Sequence, residues 1–299
     1  MYERLSMTRI LLFLAANASV LFVFSIASKL LGLDQWAAQN GIPYQSFFVM
    51  ALIFGFGGSF ISLAMSKWMA KRGMGVQIIE NPRDRTEAWL LETVRRQSEK
   101  AGIGMPEVGI FRAGSPNAFA TGMSRDNALV AVSVELMQSM SADEVEAVLA
   151  HEVSHVANGD MVTMGLLQGV LNTFVIFFAR VGGMLVDQAL SGNRDSYRPG
   201  IGFFVISIVF EMVFGVFAAM IAMAFSRWRE FRADAGGAAL AGRPKMIAAL
   251  QALQRQHTES LPAQMAAFGI SGGLASGFKQ LLMSHPPLEE RIQALRNAE

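Results

Sequence analysis

SADEVEAVLAHEVSHVANGD, residues 141–160, decides the reading of this chain. Ser141-Ala142-Asp143-Glu144 is a capping box, in which a hydroxyl and a glutamate three residues on satisfy the open donors of a helix start. Asn158-Gly159 is a stop signal. Between them, residues four apart fall on one helical face, so His151 and His155 can share a metal ion. Glu152 stands beside them with the acid/base group that metal-assisted hydrolysis needs. An apolar run of membrane length begins at Met161, which points to a zinc peptidase built at a membrane surface.

Composition agrees. The 299 residues are 52% hydrophobic and 16% charged, against about 25% charged in soluble domains. A net charge of +1 leaves no basic field for nucleic acid, and none is expected as a partner. There is no cysteine, so disulfides and thiolate zinc sites are excluded. A transition metal must be held by carboxylates and by some of the four histidines, His151, His155, His257 and His285.

Four stretches have the length that a bilayer core requires: Ile10–Ser28, Phe47–Met65, Met161–Ala179 and Ile201–Phe225. The first has no convincing cleavage site after it and is read as a retained anchor rather than a signal peptide. The expected organisation is a membrane anchor over 1–66, a second transmembrane pair over 161–225, and a discontinuous zinc domain from 67–160 and 226–299. Arg4 and Arg9 precede the first span, and Lys67, Lys71 and Arg72 follow the second. This bias puts the N-terminus and the polar regions in the cytoplasm. Arg180, Arg194 and Arg198 in the third loop dissent, which points to shallow or tilted third and fourth spans.

The polar regions together are long enough for one core. The pattern predicts a helix over Arg85–Ala101, strands over Glu107–Arg112 and Ala128–Leu136, and a short strand over Ala118–Thr121. Further helices are expected from Arg227 to Ala241, Pro244 to Arg255 and Pro287 to Asn297, the last with a polar face of Glu289, Glu290 and Arg291. Gly269–Gly277 reads as a mobile loop and candidate lid. The fold class is therefore an α+β integral membrane protein, with four transmembrane helices and a mostly helical catalytic domain carrying a small β-sheet.

A catalytic zinc takes three protein ligands and keeps one position open. Glu230, in Arg229-Glu230-Phe231-Arg232-Ala233-Asp234, is the best third ligand. If spans three and four pair, it meets His155 although 75 positions separate them. Glu211, Asp160 and His285 are the rivals. Glu211 sits mid-membrane, where a neutral acid hydrogen-bonded near Asn172 and Thr173 is expected. Asp160 is too close in sequence to fold back easily. Asp234, one turn beyond Glu230, is expected to orient a ligand histidine. Glu152 is the expected general base, and His285 a candidate donor to the oxyanion. If Ala128–Glu135 is an edge strand, an extended substrate can add to it through backbone hydrogen bonds.

HEVSH, SRWREFRADAGGA and SHPPLEERIQAL, in that order among four apolar spans, resemble the HtpX heat-shock membrane proteases of bacteria, relatives of the CAAX prenyl proteases. The resemblance covers nearly the whole chain. It implies a gluzincin-type centre with one Zn2+ per chain on His151, His155 and Glu230, and Glu152 as base. It also implies an inner-membrane protein with its active site towards the cytoplasm. The role implied is quality control under stress, in which misfolded or damaged membrane proteins are cut alongside other membrane proteases.

Other readings carry their own signals. A processing protease for one prenylated or signal-bearing peptide wants a large intramembrane chamber, for which four spans are few. Cleavage within the bilayer wants an apolar motif helix, and this one carries Asp143, Glu144 and Glu146. A scaffold or chaperone with structural zinc has no use for Glu152.

Overall fold

Local chemistry sets the ends of the helix that carries the motif. The computed structural model describes residues 44–191, 200–259, 283 and 285–298, together with Lys29. In it the motif helix spans Ala142–Asn158. Both bonds of the Ser141/Glu144 capping box form, and Gly159 closes the other end at φ 70°, a conformation that glycine adopts without a Cβ penalty.

In chain order the described elements are α1 (Tyr44–Gly73), β1 (Gln77–Ile78), α2 (Arg85–Ala101), β2 (Glu107–Phe111), β3 (Ala118–Ser124), β4 (Asn127–Ser133), α3 (Val134–Ser139), α4 (Ala142–Asn158), α5 (Asp160–Ser191), α6 (Ile201–Ala241), α7 (Arg243–Glu259) and α8 (Leu288–Asn297). The protein is mostly helical with a small mixed sheet. Among the described residues, three helices are long and apolar enough to cross a membrane: Gln45–Gly73, Asp160–Leu190 and Ile201–Ala241. The expected first span, the Gly269–Gly277 loop and the side chain of His257 lie outside the described residues.

The sheet runs β1-β2-β4-β3. β2 and β4 are parallel, while β1 and β3 pair antiparallel with β2 and β4 respectively. This corrects the expectation that Ala128–Glu135 forms an edge. β4 lies inside the sheet, and among the described residues the edge beside it is β3. Its inner position follows from its sequence. Ala128, Val130 and Val132 pack into the helical core, while Leu129 and Ala131 pack on the other face with Val76 and Phe111. A strand buried on both faces reads as a continuous apolar run. The expected strand also ends early, because the Ser133 hydroxyl accepts the Leu136 N–H and starts α3.

Contacts divide the chain into two compact units. One holds 61–165 with the residues from 219 onward. Its core packs Leu90 and Val94 of α2, Val145, Leu149 and Val153 of α4, and Met246 and Leu250 of α7. Burying each such side chain stabilises by about 1.5–3 kcal/mol. α4 and α6 meet almost backbone to backbone. A Cβ on Gly236 would stand 2.0 Å from Ser154 Oγ, and one on Gly237 would stand 3.1 Å from His151 N.

In the other unit, whose described helices cover 44–60, 166–191 and 201–218, small residues again permit close helix contact. Gly55 faces Thr173, and Gly183 faces Ser207. Two expectations fail in this unit. Arg180 does not end α5, which runs on to Ser191. Nor is Glu211 a lone acid near Asn172 and Thr173, because its carboxylate lies 2.9 Å from Arg180 Nη1. The ion pair removes the cost of leaving either charge alone among apolar helices. A third difference is that the segment from Arg227 to Ala241 is the end of α6 rather than a separate helix.

The α4–α6 contact yields an expected outcome. Gly236→Ala should cost about 1–3 kcal/mol through overpacking and lower the thermal midpoint in detergent. Gly215→Ala on the same helix, which meets nothing within 4 Å, should not. Equal midpoints would show that the contact is not tight.

Candidate metal centre

Two helices bring the expected ligands together. α4 presents His151 and His155, α6 presents Glu230, and the ligand atoms of all three lie within 4.8 Å of one another. The two Nε2 atoms face each other at 3.1 Å. Glu230 Oε1 is 3.3 Å from His155 Nε2, and Glu230 Oε2 is 3.6 Å from His151 Nε2. A tetrahedral ion with bonds of about 2.0–2.1 Å separates its ligands by about 3.4 Å. The three edges have that length. Glu230 Oε2 is buried, with His285 Nδ1 at 2.8 Å and Arg291 Nη1 at 3.2 Å beside it. The residues therefore fit a divalent metal. The solvated pairing with neighbouring arginines that would have made Glu230 a surface residue is ruled out by its 1% exposure.

The outer nitrogens of both rings meet carboxylates. His151 Nδ1 lies 3.0 Å from Asp234 Oδ1, where the sequence places an orienting group. His155 Nδ1 lies 2.7 Å from Asp160 Oδ2. Asp160 does fold back, though to the outer side of the ring rather than to the metal position. The left-handed turn at Gly159 is what redirects the chain. Arg229 Nη1 donates to the Asp160 carbonyl at 3.1 Å and ties α6 to the start of α5.

Sequence reasoning missed a further residue. Arg291 was assigned to a polar face of α8, yet it is 6% exposed. Its Nε and Nη2 donate to Asp234 Oδ2 and Oδ1 at 2.7 and 2.6 Å. Its Nη1 lies 3.2 Å from Glu230 Oε2. The available signal was an arginine flanked by apolar Leu288, Ile292 and Leu295 on a short helix.

Glu152 and His285 border the same cleft of about 620 Å³, with Asn117, Ala118, His151 and Glu230. His285 Nδ1 lies 2.8 Å from Glu230 Oε2. It does not cap α8, whose first turn has no side-chain cap. Val148, Met246, Leu250 and Leu253 make the cleft's wall apolar.

Known proteins bear on this geometry. The model of peptidase family M48 matches residues 84–299. The chain belongs to peptidase family M48. Within it, the chain is 61% identical over 293 residues to the protease HtpX of Thioalkalivibrio sulfidiphilus, covering 97% of this chain and 99% of that one. It is 62% identical over 290 residues to the HtpX of Stenotrophomonas maltophilia, covering 97% and 98%. The crystal structure of S. mikatae Ste24p matches with a TM-score of 0.61 at 16% identity, over 92% of this chain and 66% of that one, which is a likeness of fold. The chain is thus an HtpX-family membrane metalloprotease, and its family supplies the metal that the His151/His155/Glu230 triangle fits.

Charge in the metal-free cluster is balanced by protons. Burial opposes charge on His155, but Asp160 and Glu230 outweigh it and lift its pKa to about 9. Burial likewise opposes charge on His151, and Asp234 and Glu230 raise it. A metal needs neutral imidazole, so binding must expel protons. Metal affinity should rise with pH up to about 9. Titration calorimetry at pH 7.5, in buffers of different ionisation enthalpy, should read one to two protons released per ion, and none would refute the linkage. For the metal-free protein the sign is reversed. The stabilisation from these raised pKa values is full below about 6.5 and is lost as pH climbs through about 9.

The outer carboxylates yield a second expectation. Asp160→Ala and Asp234→Ala should each weaken metal binding roughly 10–100-fold. Asp143→Ala, on the exposed start of α4, should leave it unchanged. Equal affinities across the set would remove Asp160 and Asp234 from the centre.

Proposed function

We propose that this protease is a zinc-dependent endopeptidase that cuts misfolded or damaged membrane proteins at the cytoplasmic face of a bacterial inner membrane. The observation that carries the reading is a His151/His155/Glu230 triangle of zinc dimensions with Glu152 on the cleft beside it. Two nitrogens and a carboxylate suit zinc among divalent ions. The lysine and arginine bias supports the cytoplasmic side, and the apolar helices support substrates drawn from the bilayer. Cleavage alongside other membrane proteases fits a quality-control role.

Zinc bound there supplies a water of lowered pKa and a Lewis acid for the scissile carbonyl. With a metal held by His151, His155 and Glu230, Glu152 would take a proton from a water as the water oxygen bonds to the carbonyl carbon, and would give that proton to the amine nitrogen as the C–N bond breaks. His285, on the same cleft, donates to the carbonyl oxygen as negative charge gathers on it. Asp234 and Asp160 hold the two histidine rings in the tautomer that turns Nε2 to the metal. The extended substrate pairs with β3, the strand edge whose first residue borders the cleft. Backbone pairing of this kind asks little of sequence, as a protease of damaged proteins requires.

The test is cleavage of casein in detergent, with zinc restored after chelation. Wild type should cut. Glu152→Gln should retain one zinc per chain and lose at least about 100-fold in rate. A Glu152→Gln variant that cuts at the wild-type rate would remove Glu152 as the base.

A further inference from the structure

We infer that Arg291 is a positioning residue that restricts Glu230 to binding the metal through one oxygen, and so keeps a coordination position open for water. The inference rests on the proposed zinc endopeptidase reading and adds a residue to that same centre. A carboxylate can take a metal with one oxygen or with both. A catalytic site with three protein ligands needs the first, because a second oxygen would fill the position that must stay open.

The ligand triangle does not decide between the two modes. Glu230 turns both oxygens towards the histidines, Oε1 at 3.3 Å from His155 Nε2 and Oε2 at 3.6 Å from His151 Nε2. Its side chain is buried, so protein groups must make the choice. Two nitrogens stand beside Oε2, His285 Nδ1 at 2.8 Å and Arg291 Nη1 at 3.2 Å. They are not equivalent. The His285 side chain is 63% exposed and that of Arg291 7%.

The guanidinium is already fixed by other bonds. Its Nε and Nη2 donate to Asp234 Oδ2 and Oδ1 at 2.7 and 2.6 Å. The group is planar, so those two bonds also set where Nη1 stands, and it keeps its charge at any working pH. Asp234 lies one turn beyond Glu230 on α6, so Arg291 is anchored on the helix whose ligand it restrains. Ile292 and Leu295 bury α8 beside it. For Oε2 to join the metal, it must leave a buried cationic donor without that acceptor, which is costly. Oε1 is then the oxygen left for the metal. A guanidinium that only balanced charge would have no such effect on how Glu230 binds.

The experiment loads the full-length protein in detergent with cobalt(II), whose visible absorption weakens several-fold as ligand atoms are added beyond a tetrahedral set. Wild type should show the strong tetrahedral band. Arg291→Met should weaken it several-fold at full cobalt occupancy. Arg291→Met/Asp234→Asn, which removes a positive and a negative charge together, should do the same and serves where the single variant does not fold. With zinc, both should cut casein at least about tenfold more slowly than wild type. Leu295→Ala, which loosens α8 without touching Glu230, should keep the strong band. The weak band should persist when His285→Ala is added to Arg291→Met. Three outcomes overturn the positioning role: a strong band in either Arg291 variant, an equally weak band in Leu295→Ala, or a strong band restored by His285→Ala, which would make His285 the added ligand. The band is read without activity. Failure of wild type to bind zinc or cut casein overturns instead the endopeptidase reading beneath it.

Discussion

The structure depends on keeping buried charge paired. Glu230 and Asp234 stand one turn apart on α6, each 1% exposed, where two like charges repel and each would separately resist ionisation. Arg291 reaches both, and the histidines face them from α4. Asp160 closes the cluster behind His155. Three carboxylates, one guanidinium and one divalent cation cancel when the two imidazoles are neutral. Without the cation, protons on the imidazoles serve instead, which is the physical reason His155 is lifted to about 9. A divalent metal held there would complete the charge balance that lets α4, α6 and α8 pack around ionised groups.

The same charges explain why a ten-residue final helix is ordered. α8 is too short to be stable alone. Ile292 and Leu295 bury one face of it, and the bidentate Arg291–Asp234 pair fixes its register. His285 precedes it by two residues of polyproline-like chain, Pro286-Pro287, so the anchor that seats α8 also brings His285 to the cleft. Arg291, which also touches Glu230 Oε2, thus helps to set where His285 stands.

What could be read from the sequence was what short-range chemistry decides. The limits of α4 followed from Ser141, Glu144 and Gly159, whose caps form within a few residues, and those of α2 from its amphipathic pattern. Glu230 was legible for a different reason, since pairing of apolar helices restricts which polar segments can meet. Arg291 was not read, because its partner lies 57 positions away and apolar neighbours on a short helix are a weak mark of burial for an arginine. The order of the strands was hidden in the same way. Residues 128–132 of β4 carry no polar residue, and weighing that uninterrupted run would have favoured an inner strand over the expected edge. The long α6 was divided at Ser226 because its composition changes there, although backbone helicity is indifferent to whether lipid or protein surrounds it.

Gly236 and Gly237 show what precision the chemistry demands of the fold. In the proposed mechanism Glu152 must reach the attacking water while its neighbours His151 and His155 hold the metal, so the rotation and depth of α4 decide all three at once. Side-chain packing alone would let a helix slide by some tenths of an ångström, because long side chains adjust. Where α6 lacks Cβ atoms, the backbone of α4 at His151 and the Cβ of Ser154 rest against it directly, and backbone does not adjust. The third ligand sits on that same helix two turns earlier. The distance from Glu230 to the histidines is thus fixed by a contact between two rigid helices.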